Sequence, residues 1–292
     1  MAAAVALVLF VVTYWAFVTT GVGQSLENLA VRGAQLRSTE TRGASLELLS
    51  PISVLAFGLA ITITFLVAVL RRRLALGAMA VGVMVTSVVA AELLKEVLPR
   101  PVFEPGPSWI LRNSFPSGSA AVATAVAIGC LLVAPDRLRW LVLAAGTLAV
   151  AIIGDAVQTA GWHRLSDTIG GTLLVIGVAS GGLAVLARMG LVQETQHGRV
   201  PRSVWIVLAL LALAVLILAT LVIVILLAFP LLGAPEGGRR AFLQTAFPLF
   251  GAGSTILAML VFGRVIEPLS LGQGGSDRTA AEPGPTSGSL QP

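Results

Sequence analysis

Eight apolar stretches, each about as long as a bilayer is thick, leave this chain few ways to fold. They cover roughly residues 2–22, 51–70, 74–95, 117–135, 140–160, 167–188, 203–229 and 243–264, and a helix that crosses the hydrocarbon core needs about 20 mostly apolar residues. Backbone polar groups in lipid must bond within their own segment, so each stretch is read as a helix. Only 11% of the residues are charged, against about a quarter in soluble domains. The expectation is an all-α, polytopic membrane bundle. The first stretch lacks the basic leader of a secretory signal and is longer than a signal core, so it reads as a retained helix. Residues 269–292 are rich in Gly, Ser and Pro and read as a disordered tail. Cys130, the single cysteine, lies in an apolar block and reads as a small buried residue.

The 19 Lys and Arg residues fall in the breaks between blocks rather than in a stripe with interleaved aromatics, which excludes nucleic-acid binding. Eight spans put both termini on one side. That side carries ten basic residues, at positions 71–73, 137, 139, 188, 199, 202, 264 and 278. The other carries nine, including Arg32, Arg37 and Arg42 in a connector over residues 23–50, where Glu27, Glu40 and Glu47 accompany them. The compact Arg71-Arg72-Arg73 run is the deciding cluster, and the positive-inside rule makes its side cytoplasmic. The expected location is the cell membrane, multi-pass.

Two breaks on the opposite, extracytoplasmic side differ from ordinary connectors: LLKEVLPRPVFEPGPSWILRNSFPSGSA (93–120) and GWHRLSD (161–167). Each lies between an odd and an even span, so they emerge on one face whatever the absolute orientation. Lys95 and Arg100 can neutralise a phosphate, Arg100 in bidentate fashion. The Ser117-Gly118-Ser119 turn opens a span, and the free N–H groups of a helix start favour an anion. His163 and Asp167 are four apart, close enough for the carboxylate to fix the imidazole tautomer. A neutral histidine so oriented can attack phosphorus, with the cations stabilising charge on the equatorial oxygens.

At these residues the chain resembles the type 2 phosphatidic acid phosphatase superfamily, the lipid phosphate phosphatases related to vanadium haloperoxidases. The family's motifs are Lys-x6-Arg-Pro, Pro-Ser-Gly-His and Ser-Arg-x5-His-x3-Asp. FPSGSA (115–120) is similar to the second; HRLSD (163–167), followed by Gly170 and Gly171, is similar to the end of the third. Lys95, Pro116, Ser117, Gly118, His163 and Asp167 match in place. Arg100-Pro101 comes two residues early, Val102 holding the family position; Ala156 and Val157 stand where Ser-Arg would precede His163. The resemblance implies a six-helix core over residues 1–188, to which this chain adds two C-terminal spans within 189–268. It implies hydrolysis of a lipid phosphate or pyrophosphate without metal or cofactor. His163 would be the nucleophile and Asp167 its orienter. Lys95, Arg100, Ser117 and Gly118 would form the phosphate cradle, with Arg164 an additional cation.

Ser119 stands at the catalytic position where the family's histidine protonates the leaving oxygen. A hydroxyl does not titrate near neutrality, and His197, the second histidine, sits in a loop on the opposite face. A catalytically impaired descendant that binds a lipid phosphate or a partner protein is therefore the alternative. A transporter is disfavoured by the scarcity of intramembrane charge and of any inverted repeat. Plainer readings stand beside these. His163 next to Trp162 could be an interfacial ring, and Lys95 and Arg100 could snorkel. Glu92 and Glu96 flank Lys95 at ion-pair spacing. Asp155 reads as the structural partner of a cation, Arg164 or Lys95, and Arg112 as a solvated loop charge. General acid help is worth about 10²–10⁴ in rate, so Ser119→His is expected to raise phosphomonoester hydrolysis by about that factor. Phosphate release by purified protein in detergent measures it.

Overall fold

A computed structural model describes residues 1–35, 37–52, 54–103, 113–194, 221, 236–266 and 269–271. The seventh apolar stretch apart from Leu221, His197, Arg112 and the C-terminal tail beyond Leu271 lie outside the described residues. The helices are α1 (Ala2–Thr13), α2 (Gly21–Gln35), α3 (Thr39–Leu49), α4 (Val54–Leu70), α5 (Leu74–Val97), α6 (Gly118–Val133), α7 (Arg139–Thr159), α8 (Leu165–Arg188) and α9 (Glu236–Ile266). A π-helical turn, Tyr14–Val18, extends α1, and a 3₁₀ turn, Asp136–Leu138, leads into α7. Among the described residues, three helices are long and apolar enough to cross a membrane: Leu74–Val97, Asp136–Thr159 with its 3₁₀ start, and Leu165–Arg188. The number rises to five if two bent pairs, Ala2–Val18 with Gly21–Ala34 and Thr39–Leu49 with Val54–Leu70, each count as one span. Side chains such as Leu7, Leu59, Ile63, Val89, Leu141 and Leu148 are exposed on the outside of the bundle. Apolar surface on that scale needs a lipid or protein cover, and the chain is read as multi-pass.

The bundle is built around α6 and α8, which pack on each other and on α5; α4 joins through α5 and α6, α1 through α8, and α7 through α6. Hydrocarbon solvent offers no hydrophobic drive between helices, so close packing of small residues substitutes for it. A β-carbon on Gly77 would lie 2.5 Å from Ala68 Cβ across the α4–α5 hairpin, and one on Gly146 would lie 2.9 Å from Ala127 Cβ across α6–α7. The hairpin turns at Arg71–Arg73, where Arg72 takes a left-handed φ of 54° and Arg71 donates to the Val133 carbonyl at the end of α6.

One expectation is corrected. Residues 23–50 are not a connector but mostly helix, α2 and α3. α2 turns 83° from the axis of α1 and its π turn and buries Gln24, Glu27, Asn28 and Val31, one side of a helix. That side is mostly polar because it lies on polar loop backbone and charged groups, so a hydropathy scan passes over it. The all-α class is borne out: the described residues form helices joined by turns, and one three-residue antiparallel ladder, Val192–Glu194 after α8 with Leu269–Leu271 after α9, lies at the end of the bundle to which both helices deliver the chain. α9 starts at Glu236, runs on through Pro248, Gly251 and Gly253, and packs on α7, α8 and α2.

Gly77→Leu should force α4 and α5 apart. Overpacking of this kind costs about 1–3 kcal/mol, which thermal unfolding in detergent would register as a lowered midpoint.

Candidate functional site

Four helix ends meet on one face: the C-terminal ends of α5 and α7 and the N-terminal ends of α6 and α8. α5 stops where Leu98 turns extended before Pro99. Two prolines hold Leu98 and Arg100 out of the helical region, so Arg100 rides on an extended segment. That segment is strapped to the N-terminal helices. Tyr14 Oη donates to the Pro99 carbonyl at 2.5 Å, and Gln24 Nε2 donates to Pro101 O at 2.5 Å while its Oε1 accepts from the Phe103 N–H. Asn113 braces the returning strand, donating from Nδ2 to the carbonyls of Lys95 and Leu98 and accepting the Phe115 N–H. Phe115 is buried beneath, its ring 5.1 Å from that of Phe10 and 5.4 Å from that of Tyr14.

Asp167, fully buried in the first turn of α8, joins these pieces. Its Oδ1 accepts from Arg100 Nη1 at 3.2 Å. Its Oδ2 accepts from Ser114 Oγ at 2.5 Å and, as a helix cap, from the Arg164 N–H at 2.8 Å. Its backbone carbonyl accepts the Ser117 N–H at 2.8 Å. Ser117 Oγ in turn caps α6 by accepting from the Ala120 N–H. The glycines after Asp167 allow this approach: a β-carbon on Gly171 would lie 2.5 Å from the Ser117 carbonyl oxygen, and one on Gly170 would lie 2.5 Å from the Phe115 ring.

His163 Nδ1 lies 3.6 Å from Asp167 Oδ2, an electrostatic contact rather than a hydrogen bond. Its backbone N–H points to the Val157 carbonyl. Lys95 Nζ pairs with Glu92 Oε1 at 2.7 Å, and this pair sits against the start of α6: a β-carbon on Gly118 would meet Glu92 Oε1 at 2.4 Å and Lys95 Nζ at 3.1 Å. Glu92 is 59% exposed along its side chain, so the pair is worth about 0–1 kcal/mol and releases Lys95 cheaply. Ser119 shares the first turn of α6 and is half-buried.

Arg100 is more committed than the sequence suggests. Its Nη2 donates to Glu27 Oε2 at 2.8 Å while Nη1 serves Asp167, and all three side chains are buried. Glu27 Oε1 accepts the Ser166 N–H at the start of α8. Arg164 is only 5% exposed, and its Nε and Nη1 find no acceptor among the described residues. Burial first, then the neighbouring Arg100, pull its pKa below the ordinary value, with Glu27 and Asp167 opposing; a guanidinium remains cationic regardless. Arg100 Nε, His163 Nδ1 and Ser166 Oγ are likewise buried without partners among the described residues.

The structure thus brings His163, Asp167, Arg100, Ser117 and Arg164 into one cluster, with Lys95 and Gly118 joined to its edge through Glu92. Asp155 belongs elsewhere, paired with Arg37 Nη1 at 3.0 Å rather than with Arg164 or Lys95. Sequence reasoning missed Glu27, Ser114, Asn113 and Gln24. The helical spacing of the polar residues Gln24, Glu27 and Asn28 was the available signal for α2; nothing local marks Ser114. Comparison with protein-family models, curated proteins and solved structures finds no match.

Removing one partner of a buried ion pair costs about 3–5 kcal/mol. Glu27→Ala should therefore lower stability by about that amount in thermal or denaturant unfolding in detergent, while Glu40→Ala, on the exposed surface of α3, should change it by less than about 0.5 kcal/mol.

Proposed function

We propose that this chain is a lipid phosphatase of the type 2 phosphatidic acid phosphatase kind, acting on a lipid pyrophosphate at the outer membrane face. Its six-helix core would comprise the spans around α1, α4, α5, α6, α7 and α8, followed by two C-terminal spans. The observation that carries the reading is the set of buried donors without acceptors around Asp167: Arg164 Nε and Nη1, Arg100 Nε and Ser166 Oγ. Each unsatisfied buried polar group costs about 1–3 kcal/mol, more where charged, and a tetrahedral oxyanion supplies several acceptors at once. The N–H groups of Gly118 and Ser119 in the first turn of α6 add further donors.

With Nδ1 facing Asp167, His163 uses Nε2. It attacks phosphorus, the bond from phosphorus to the bridging oxygen breaks, and the lipid monophosphate leaves with the electron pair. Water then attacks the phosphohistidine, giving inorganic phosphate and restoring the imidazole. Ser119 cannot protonate a leaving alkoxide. A leaving phosphate, with a second pKa near 6, needs little help, which favours the pyrophosphate substrate.

A second reading rests on Arg100. Because Glu27 and Asp167 neutralise it, the site holds less positive charge than its arginines imply, as suits a protein that binds a lipid phosphate without cleaving it.

Phosphate release from a polyprenyl pyrophosphate and from the matching monophosphate, by wild type and His163→Ala, separates the readings. The expected result is faster turnover of the pyrophosphate and a loss of at least about 10³-fold in the variant. Faster turnover of the monophosphate would overturn the substrate preference. Equal, background rates for wild type and variant would overturn the enzyme and leave the binder.

A further inference from the structure

An apolar cavity of about 420 Å³ runs between α1, α8 and α9, inside the size range of ligand pockets, roughly 300–1,000 Å³. Each helix contributes one face, with Leu9 and Thr13 from α1, Ile169 and Ile176 from α8, and Ala258 and Phe262 from α9 among the lining. The three faces share a direction. A β-carbon on Gly251 would lie 2.9 Å from Leu165 Cδ1, which levels that part of α9 with the first residue of α8, at the site. At the far end Gly263 lies against Leu143, near the start of α7, and Ala6 is level with Gly177. The cavity therefore begins at Thr13 and Ile169, beside the Phe115 layer that floors the charged cluster, and runs inward to Ala2 and Ser180.

Its shape selects the occupant. From Ile169 to Ser180 the α8 wall is about 16 Å long at 1.5 Å per residue, about half the hydrocarbon thickness of a bilayer. A volume of 420 Å³ spread over that length is less than about 8 Å across, too narrow for a helix of about 10–12 Å. The end nearest the charged cluster is at Thr13 and Ile169, five residues along α8 from the buried guanidinium of Arg164, and the walls are mostly apolar with a few Ser and Thr hydroxyls among them. A molecule that satisfies both ends carries an anion on a single long hydrocarbon chain.

We propose that this slot holds the chain of the lipid whose phosphate lies at the Asp167 cluster, and that α9 serves as one wall of the substrate's tail site. The inference rests on the reading above for the nature of the headgroup. Small residues on α9, Ser254 and Ala258, keep the slot open where larger ones would close it.

The test is photolabelling of the purified full-length chain in detergent by a polyprenyl pyrophosphate bearing a diazirine in mid-chain, with adducts mapped by mass spectrometry. Wild type should carry adducts on the α9 face around Ala258 and on α1 around the buried Ala6. Ala258→Trp, and independently Ser254→Leu should the first variant fail to fold, should reduce them at least 10-fold. Leu148→Trp, on the exposed side of α7, should leave them unchanged. Adducts confined to outward-facing residues in wild type, or undiminished in both slot variants, would overturn the proposal. Slot adducts without phosphate release would support it and overturn only the catalytic reading.

Discussion

A single buried carboxylate holds this end of the bundle together. Asp167 has no access to solvent, and a charge in such a place is tolerated only when paired and fully hydrogen-bonded. Each of its bonds reaches a different piece of chain: Arg100 on the segment after α5, Ser114 before α6, the Arg164 amide at the start of α8, and through its own carbonyl the Ser117 amide that opens α6. Three helix ends, those of α5, α6 and α8, are fixed by the surroundings of one residue. Packing that lets the carboxylate come so close depends on Gly170 and Gly171, where any side chain would collide with Phe115 or with the Ser117 carbonyl. The small residues in this part of α8 are thus a condition for the charge cluster, and the charge cluster is what sets the register of α8 against α6.

Much of this was legible in the sequence. Long apolar runs are a strong, local signal, and α5, α7 and α8 emerge close to where hydropathy puts them. Parity of the spans brought Lys95, Ser117 and His163 to one face without any knowledge of packing. What escaped was whatever depends on partners distant in the chain. Glu27 looks like an ordinary connector charge beside Arg32, because its partners Arg100 and Ser166 lie more than seventy residues away. α2 escaped for a related reason: its buried side is polar, so periodicity of hydropathy does not mark it, although the 3.6-residue spacing of polar residues is present. Asp155 was recognised as needing a cation, yet Arg37 was hidden in the same misread stretch.

The double commitment of Arg100 determines how an anion can be held here. With both carboxylates ionised, Glu27, Asp167, Arg100 and Arg164 together carry no net charge, and Lys95 is matched by Glu92. A phosphate dianion therefore brings an excess of negative charge into a confined place unless a carboxylate withdraws. Glu27 and Asp167 are fixed by backbone amides as well as by Arg100, so neither moves without leaving amides unsatisfied. Glu92 differs: among the described residues its one bond is to Lys95, and most of its side chain is exposed. Its departure leaves Lys95 beside Gly118, at the positive end of the α6 dipole. The arriving anion and the Glu92 carboxylate compete for the same ammonium, and the exposed competitor is the weaker one.

The same arithmetic divides labour among the cations. Arg100 is an organiser: its guanidinium bridges α2 to α8, and only Nε is uncommitted. Arg164 is buried without acceptors among the described residues for Nε and Nη1, so its charge is directed at whatever enters the cluster. Lys95, paired with the exposed Glu92, is a charge at the rim. On the proposed reading, an anion would be held by Arg164 and by Lys95 with the α6 amides, near His163 and the end of the apolar slot at Thr13 and Ile169. A phosphate alone would use only the first half of that arrangement. A phosphate on a hydrocarbon chain uses all of it, with binding contributed by the chain at a distance from the reacting bond, where a pocket of nearly balanced charge has the least to offer.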